Sequence, residues 1–524
     1  MSSRSVLTLL AAPVAVLTLG TSPARADVDS PIRHVVVIFQ ENVSFDHYFG
    51  TYPNAQNPKG EPQFDARRGT PSVNGYTPAL LNNNPNQINP FRFPRSQAAT
   101  CDQDHDYTAE QKAYDKGAMD LFVETLGNGP GMDGNLVCKA TDVMGYFDGN
   151  TVTALWNYAQ HFAMSDNSFS DTFGPSTPGA VNLVSGDTSG ATAPKGGADA
   201  NLADGSVVGD SRPFLDDCSP GGGQSANQLI LTGKNVGNLL NDKHVSWGWF
   251  QGGFRPTSHD ASGKPICGAT HIGSDGLPKG DYIPHHEPFQ YYASTTNQHH
   301  LPPTSVHQIG WTDQANHQYD VADFLDALAA GNFPSVSFIK APGFQDGHAG
   351  YSDPLAEQTF IVELLNTLQK RSDWRNTAVI ILYDDSDGWY DHQMGPLVSP
   401  SATDKDALTG TTLCGNRKSG APAGSNGRCG VGPRQPLLVV SPWAKKNFVD
   451  HTITQQSSVL RFIEENFDLG RIGGASFDAE ASSLWQMFDF RQSGEHRLFL
   501  DPSTGEPIRH DDDGDHDGDC LRRR

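Results

Sequence analysis

The fold of this chain is decided at residues 34–42, which read His34-Val-Val-Val-Ile-Phe-Gln-Glu-Asn42. The stretch up to Phe39 is rich in β-branched side chains and does not alternate with polar ones. Such a run is typical of a strand that is covered on both faces, as the strands of a parallel sheet are. Three later runs share this character, at residues 336–339, 378–383 and 436–441. The sequence therefore predicts four buried strands.

Helical periodicity lies between and after these strands. Residues 319–330, 353–370 and 457–467 place apolar side chains three and four positions apart, which is the spacing of one helix face. Asp353 is expected to cap the second of these helices, with Pro354 at its first position. Strands that alternate with helices predict an α/β fold, a doubly wound α/β/α sandwich.

The long stretches between the strands have a different composition. Residues at about 52–140 and 190–310 are rich in Gly, Asn, Pro, Ser and aromatic side chains, and their periodicity is weak. We expect them to be insertions that cap the site within one domain of residues 27–500. The tail, residues 501–524, is acidic and matches the first half of a calcium-binding loop. Arg524 stands where that loop needs Glu, so we interpret the tail as a solvated, low-complexity segment.

The charge balance restricts the partners that this chain can bind. There are 60 acidic and 37 basic residues, and the formal net charge is −23. This acidity disfavours binding to nucleic acid, and docking on anionic lipid through a basic surface. A hydrophobic content of 36% argues against a disordered chain, and 54 Gly with 35 Pro argue against a helical bundle.

The N-terminus predicts export from the cytoplasm. Residues 6–19 form an apolar run too short to span a bilayer comfortably, and Ala24-Arg25-Ala26 is a cleavage signal. We therefore expect a signal peptide of residues 1–26, cleaved after Ala26, and a secreted or periplasmic protein. Because no later segment reaches about 18 consecutive apolar residues, no integral membrane segment is expected.

All seven cysteines follow the predicted signal peptide, and none belongs to a Cys-x-x-Cys pair. In an oxidising compartment, disulfides are the favoured interpretation. The simplest pairing joins neighbours along the chain and leaves the last cysteine over, although the sequence alone does not determine connectivity. It pairs Cys101 with Cys138, Cys218 with Cys267 and Cys414 with Cys429, and Cys520 is left over.

Two of the predicted strands lead into oxygen-rich residues. Glu41 and Asn42 follow the first strand, and Asp384 and Asp385 follow the third. Ligands of open α/β sheets bind beyond the carboxyl ends of the strands, so these side chains are expected at one edge. Neighbouring carboxylates repel each other unless a cation lies between them, and such a set suits a divalent metal. The alternative is that they are loop carboxylates with local turn hydrogen bonds.

A second candidate element is the segment Phe173-Gly-Pro-Ser-Thr-Pro-Gly179. Pro178 suits the first turn of a helix, which would place Ser176 or Thr177 at the helix N-terminus. Backbone N–H groups and the helix dipole there favour an anion such as phosphate. A hydroxyl in that position can be a nucleophile if a metal lowers its pKa. The alternative is an ordinary Ser or Thr cap.

Histidine is the third candidate element, with 19 in the chain. His105 lies between two aspartates, His285 and His286 are adjacent, and His348 follows Asp346-Gly347. Near a metal, a neutral histidine can bind the ion, and a protonated one can bind a phosphoryl oxygen or protonate a leaving group. The alternative is that these histidines are structural or lie on the surface.

Together these segments resemble the bacterial phosphoesterase family, which unites phospholipases C of the non-haemolytic type with secreted acid phosphatases. The resemblance covers about residues 31–470. Its motifs are His34-Val-Val-Val-Ile-Phe-Gln-Glu-Asn-Val-Ser-Phe-Asp-His-Tyr-Phe-Gly50, Gly174-Pro-Ser-Thr-Pro178, Ile380-Ile-Leu-Tyr-Asp-Asp-Ser-Asp-Gly-Trp-Tyr-Asp-His392 and Gly432-Pro-Arg-Gln-Pro-Leu-Leu-Val-Val-Ser-Pro442. That family resembles the alkaline phosphatase superfamily in fold, and the resemblance implies that fold here.

The resemblance also implies a role for each candidate residue. It implies Ser176 as the nucleophile, with Thr177 as the fallback, and one divalent metal ion that could be calcium, zinc, manganese or iron. The metal ligands that it implies are Glu41, Asn42, Ser176, Asp384 and Asp385. The implied phosphate-binding residues are Asn42, His105, His286 and His348, and the histidines also transfer protons, with His348 or His286 preferred as the proton donor.

One departure from the family pattern favours the acid phosphatase branch. Many phospholipase C members have Asn-Arg after the second proline of the Ser-containing motif, whereas this chain has Gly179-Ala180. The expected function is therefore a secreted, metal-dependent phosphoric-ester hydrolase, an acid phosphatase that works through a phosphoserine intermediate. One alternative is a phospholipase C with a possible lipid substrate, in which the aromatic stretch at residues 247–254 either faces a choline headgroup or packs inside the insertion. The non-enzyme alternative is a secreted calcium- or phosphate-binding protein, which the acidic tail suggests.

Overall fold

A computed structural model describes residues 30–128, 131–194, 201–219, 227–408, 414 and 426–508. The predicted signal peptide, the acidic residues 511–519 and Cys520 lie outside the described residues. The central sheet contains β1 (His34–Gln40), β2 (Ala163–Phe169), β3 (Trp247–Gln251), β4 (Gln318–Asp320), β5 (Val336–Lys340), β6 (Thr377–Tyr383), β7 (Arg434–Val440), β8 (Phe448–Asp450) and β9 (Thr454–Gln455).

The α-helices of the described residues are mostly short. They are α1 (Phe45–Phe49), α2 (Pro78–Asn82), α3 (Tyr107–Ala113), α4 (Phe122–Thr125), α5 (Thr153–His161), α6 (Ser176–Ser185), α7 (Val236–Asp242), α8 (Val321–Ala329), α9 (Pro354–Gln369) and α10 (Ser457–Phe467). Small strand pairs lie outside the central sheet, for example Gly131–Asp133 with Leu136–Cys138 and Thr270–Ile272 with Pro278–Gly280.

The central sheet is mixed. Its order is β4-β3-β5-β1-β6-β7-β2-β8, and β9 also pairs with β2. The neighbouring strands from β4 to β6 are parallel, whereas β7 is antiparallel to both β6 and β2. The α/β class is confirmed, but the expectation that all four predicted strands are parallel is wrong for β7. Every residue of β7 is buried, as in β6, so the apolar pattern carries no information about strand direction.

The sequence does not predict the sheet strands β2 and β3. β2 reads Ala163-Met-Ser-Asp-Asn-Ser-Phe169, and its polar side chains hide the strand pattern although most of them are buried. β3 lies within the stretch 190–310 that was expected to be an insertion, so this part of the stretch belongs to the core. Trp247, Trp249 and Phe250 of β3 are fully buried between β4 and β5, so of the two alternatives for this stretch these three rings pack in the core and do not face a choline headgroup.

The three predicted helices are confirmed as α8, α9 and α10. α9 begins at Pro354, and the Asp353 carboxylate caps it by accepting the N–H groups of Leu355 at 2.8 Å and Ala356 at 2.9 Å. α8 begins at Val321, later than predicted, because the preceding residues 318–320 pair in the sheet as β4.

The predicted disulfide pairing is confirmed for the three neighbouring pairs. Their Cα atoms lie 5.6 to 5.8 Å apart: Cys101–Cys138, Cys218–Cys267 and Cys414–Cys429. Such bonds are typical of proteins that fold outside the reducing cytoplasm. Each helix in the described ranges is too short or too polar to cross a bilayer.

The strand directions bring distant segments to one edge of the sheet. β1, β5 and β6 are adjacent and parallel, and β2 shares their direction because two antiparallel pairings separate it from β6. The carboxyl ends of these four strands therefore meet at the same edge. The segments that follow them carry the candidate functional residues.

Candidate active site

Ser176 is the first residue of α6, and its hydroxyl lies among the strand-end carboxylates. Its Oγ is 3.2 Å from Oε2 of Glu41 and 3.2 Å from Oδ2 of Asp385. The serine is 1% exposed. The positive end of the α6 dipole at this point favours negative charge on the serine oxygen or on a group bound to it.

Thr177 faces a different partner. Its N–H and its hydroxyl both donate to Oδ1 of Asp210, at 2.9 and 3.0 Å. The structure therefore brings Ser176, and not the fallback residue Thr177, to the carboxylates of the predicted metal site.

Glu41, Asp384 and Asp385 form a buried cluster of carboxylates, none more than 1% exposed. Burial, and next the charge of Asp384, raise the pKa of Glu41 and the pKa of Asp385 well above their ordinary values. Asn42 adopts a left-handed backbone conformation, with φ at 42°, and its N–H donates to Oδ1 of Asp384 at 3.3 Å. This conformation turns the chain sharply just after β1, where the ligands are needed.

The cluster fits a divalent cation. Oδ1 of Asn42 and Oδ2 of Asp384 are buried and have no hydrogen-bond partner within the described part of the chain. Such oxygens are costly to bury unless a ligand satisfies them, and a cation would also relieve the repulsion between the carboxylates. All five predicted ligands offer oxygen, which suits hard or borderline divalent ions. They are Glu41, Asn42, Ser176, Asp384 and Asp385.

Two charged residues of this site were not predicted. Lys340 is the last residue of β5, and its ammonium group contacts Oε1 of Glu41. Asp346 is fully buried, and burial raises its pKa to about 7. Both left a signal in the sequence, because Lys340 directly follows a predicted strand as Gln40 does, and Asp346 is two residues before His348.

The predicted histidine His286 contacts the same carboxylate. Its Nδ1 is 3.0 Å from Oε1 of Glu41, and its ring centroid is 4.4 Å from that of His285. Burial, and next the charges of His285 and Lys340, hold the pKa of His286 well below its ordinary value. These surroundings therefore favour the neutral form of His286.

His105 and His348 lie together on the Asn42 side of the site, with ring centroids 6.2 Å apart. Nε2 of His105 is 3.5 Å from Nδ2 of Asn42, and Nδ1 is 3.4 Å from Asp387. Burial opposes the charge of His105, but the charges of nearby carboxylates, first that of Asp385, raise its pKa well above the ordinary value. Burial lowers the pKa of His348 to about 4, so the two rings favour opposite protonation states.

Glu110 joins the two loops that carry the nucleophile and the aspartates. Its Oε2 accepts the N–H of Gly174 at 2.9 Å, and its Oε1 accepts the hydroxyl of Ser386 at 2.8 Å. Burial raises its pKa to about 8. Glu110 lies in α3, inside the stretch 52–140 of weak periodicity, and nothing in its local sequence marks this role.

Gly179 allows α6 to pack directly on the backbone of the aspartate loop. A Cβ atom at this position would lie 2.2 Å from the carbonyl oxygen of Asp384, well inside van der Waals contact. This contact leaves no room for a larger side chain at position 179.

Asp46, Asp391 and His392 belong to the motifs quoted above, but they form a separate buried cluster with Arg434. The guanidinium of Arg434 is 2.9 Å from Asp46 and 3.0 Å from Asp391, and Nδ1 of His392 is 2.5 Å from Asp46. These ion pairs link α1, the loop after β6 and the start of β7. We interpret this cluster as structural, because a cation already neutralises its carboxylates.

A groove of about 570 Å³ opens beside the site. His285, Tyr282 and Ile283 contribute to its wall, as does the Cys218–Cys267 disulfide. Its basic lining residues are Arg212, Lys264 and Lys279, and its acidic ones are Asp217 and Asp260. The ring of His285 in the groove wall packs on that of His286, which contacts Glu41.

Comparison with known proteins shows the family of this chain. A family model described as the phosphoesterase family matches residues 32–470. The chain belongs to the phosphoesterase family. The match contains all the site residues described above, and it confirms the family resemblance found from the sequence.

Relatives of the chain include several proteins named as phospholipases C. It is 24% identical over 83% of its length to the non-hemolytic phospholipase C of Pseudomonas aeruginosa and covers 54% of that protein. It is 24% identical over 87% of its length to phospholipase C B of Mycobacterium tuberculosis and covers 77% of that protein. It is 26% identical over 80% of its length to non-specific phospholipase C6 of Arabidopsis thaliana and covers 63% of that protein. The chain spans about half the length of the Pseudomonas relative.

Two solved structures show distant likeness. An alkaline phosphatase superfamily protein from Vibrio parahaemolyticus is 11% identical, with 61% of this chain and 62% of that chain covered and a TM-score of 0.26. Murine ectonucleotide pyrophosphatase/phosphodiesterase 5 is 12% identical. The match covers 64% of this chain and 95% of the murine chain, with a TM-score of 0.32.

Proposed function

We propose that this member of the phosphoesterase family hydrolyses phosphate monoesters, as an acid phosphatase does, with Ser176 as its nucleophile. The observation that carries the proposal is the position of the serine hydroxyl, at the N-terminus of α6 and 3.2 Å from the carboxylates of both Glu41 and Asp385. A hydroxyl held between carboxylates at a helix N-terminus can be activated by a cation and can present its oxygen to a phosphoryl group.

Glu41, Asn42, Ser176, Asp384 and Asp385 would hold one divalent ion, which when bound lowers the pKa of the serine hydroxyl and neutralises a phosphoryl oxygen. The hydroxyl proton of Ser176 would pass to a carboxylate that it contacts, Glu41 or Asp385, while Oγ forms a bond to phosphorus and the bond from phosphorus to the ester oxygen breaks in line with it. The leaving alcohol takes up a proton, and water then attacks the phosphoserine, which releases phosphate and restores the serine hydroxyl.

The three histidines supply hydrogen bonds and protons in this proposal. His105 and His348 lie on the Asn42 side of the site, and His286 lies against Oε1 of Glu41, so each could donate to a phosphoryl oxygen bound there. The surroundings of His105 favour its charged form, and burial favours the neutral form of His286 and His348. His105 is therefore the first of the three to test as the proton donor, ahead of the two that the sequence favoured.

Two observations support a monoester over a choline lipid. The groove beside His285 carries three basic and two acidic residues, a lining that suits a polar or anionic alcohol better than a quaternary ammonium group. The buried rings of β3 are unavailable for cation–π contact with choline. The second candidate is phospholipase C activity, which the names of the relatives favour.

We also propose that the protein acts outside the cytoplasm after cleavage following Ala26. The three disulfides support an oxidising compartment. The proposed partner is the phosphate-ester substrate alone, without nucleic acid. A binding protein without turnover is the non-enzyme alternative.

A substrate panel tests these proposals. Purified protein is assayed from pH 5 to 8 with a phosphomonoester, a phosphodiester and phosphatidylcholine, with and without chelator. We expect the monoester to be turned over fastest, and Ser176→Ala to lower kcat by about 10³-fold or more. Ser185→Ala is the matched control, since it removes a hydroxyl from the opposite end of the same helix. Preference for phosphatidylcholine would establish the second candidate, and no turnover of any ester would establish the binding protein.

A further inference from the structure

A buried ammonium group lies beside the proposed metal site. Lys340 ends β5 with its side chain 1% exposed, and its Nζ contacts Oε1 of Glu41. Nζ also lies 5.0 Å from the ring centroid of Phe39, so the charge is held between a carboxylate and an aromatic face. A lysine is rarely buried to this extent unless its charge is paired.

The groups around this ammonium have the geometry of a cation site. Glu41, His286 and Asp346 each offer one ligand atom, and these atoms all lie within 4.8 Å of one another. All three residues are buried. Two carboxylates and an imidazole are a donor set that binds zinc or manganese.

The two carboxylate oxygens of Glu41 contact different groups. Oε2 accepts the hydroxyl of Ser176 at 3.2 Å, on the side of the proposed metal ion. Oε1 contacts Lys340 and lies 3.0 Å from Nδ1 of His286. Glu41 therefore contacts Ser176 through one oxygen and belongs to the group with His286 and Asp346 through the other, which is the oxygen that the ammonium of Lys340 contacts.

We infer that the ammonium of Lys340 takes the place of a second divalent ion, so that Glu41, His286 and Asp346 bind metal only when Lys340 is replaced. A divalent ion at this position would be repelled by the ammonium and would compete with it for Oε1 of Glu41. The lysine thereby orients Glu41 toward Ser176 and keeps positive charge beside the phosphoryl group. The presence of an ion beside Ser176 rests on the proposed function. The exclusion of an ion from the group of Glu41, His286 and Asp346 does not.

The test counts bound ions. Metal-stripped full-length protein is dialysed against Zn²⁺ or Mn²⁺, and the bound metal is measured by mass spectrometry. We expect Lys340→Met, which keeps the length of the side chain, to bind one ion more than the wild type. Lys340→Arg keeps the charge and is the matched control, with the wild-type count. Lys340→Met combined with His286→Ala should return to the wild-type count, because the second site loses a ligand.

Several results separate the inference from the proposed function. Equal counts for Lys340→Met and the wild type, with both proteins folded by circular dichroism, would overturn the inference, and so would two ions in the wild type. If the wild type binds no ion and Lys340→Met binds one, the inference holds while the proposed ion at Ser176 does not. If Lys340→Met does not fold, Lys340→Gln replaces it with the same expected gain, and the wild-type count alone can still overturn the inference.

Discussion

Gly179→Ala is the sharpest perturbation of this site, because the added methyl group would enter the contact between α6 and the aspartate loop. The new Cβ would lie 2.2 Å from the carbonyl oxygen of Asp384, and ordinary contact begins at 3.4 Å. The two segments must therefore separate by about 1.2 Å, since the obstacle is backbone and cannot rotate away. Overpacking of this kind costs about 1–3 kcal/mol of stability. Ser176 lies on one of these segments, and Asp385 lies on the other.

The displacement of Ser176 relative to Asp385 should lower catalysis as well as stability. Displacing reacting groups by about 1 Å can lower turnover by about 10²-fold, so we expect kcat to fall by that factor. Ala180→Gly is the matched control: it weakens the same helix by about 1 kcal/mol and adds no atom against Asp384. Steady-state kinetics and thermal melting are measured for both variants. A Gly179→Ala enzyme with near-normal kcat would contradict the reasoning, as would equal kinetic losses in the two variants.

Two further predictions concern pH and metal. Glu357 accepts the hydroxyls of Tyr48 and Tyr383, and burial raises its pKa to about 8. The folded state therefore keeps a proton on Glu357 that the unfolded chain loses at the ordinary pKa of the group. The unfolded state then binds fewer protons between about pH 4.5 and 8, and this group alone makes the free energy of unfolding fall as pH rises, by up to about 1.4 kcal/mol per unit. Glu357→Gln should remove this pH dependence of the free energy of unfolding, which urea unfolding at pH 5, 6.5 and 8 measures. The same pH dependence in the variant and the wild type would contradict the prediction. Chelation should abolish turnover and also weaken binding of inorganic phosphate measured by calorimetry, because the carboxylates then repel the anion; unchanged phosphate affinity would argue that the histidines alone bind it.

Local sequence was sufficient for much of the fold and for the ligand types. The apolar runs located β1, β5, β6 and β7, because a continuous apolar run is typical of a strand that is covered on both faces. It was insufficient for β2, whose serines and aspartate resemble a loop, and for the direction of β7. Strand direction depends on which edges pair across the sheet, and no property of a single strand records that choice.

By itself, the sequence determined the family, the α/β class, the disulfide candidates and the residue types at the strand ends, because each of these depends on short runs of neighbouring residues. Only the tertiary structure decided which of these residues meet. Ser176 reaches Glu41 across 135 positions of the chain and Asp385 across 209, and that proximity follows from the shared direction of β1, β2 and β6. The same packing aimed Thr177 at Asp210 and placed the ammonium of Lys340 against Glu41. Contacts between residues this far apart arise from the packing of whole elements, and for that reason the charges that surround the serine became visible only in three dimensions.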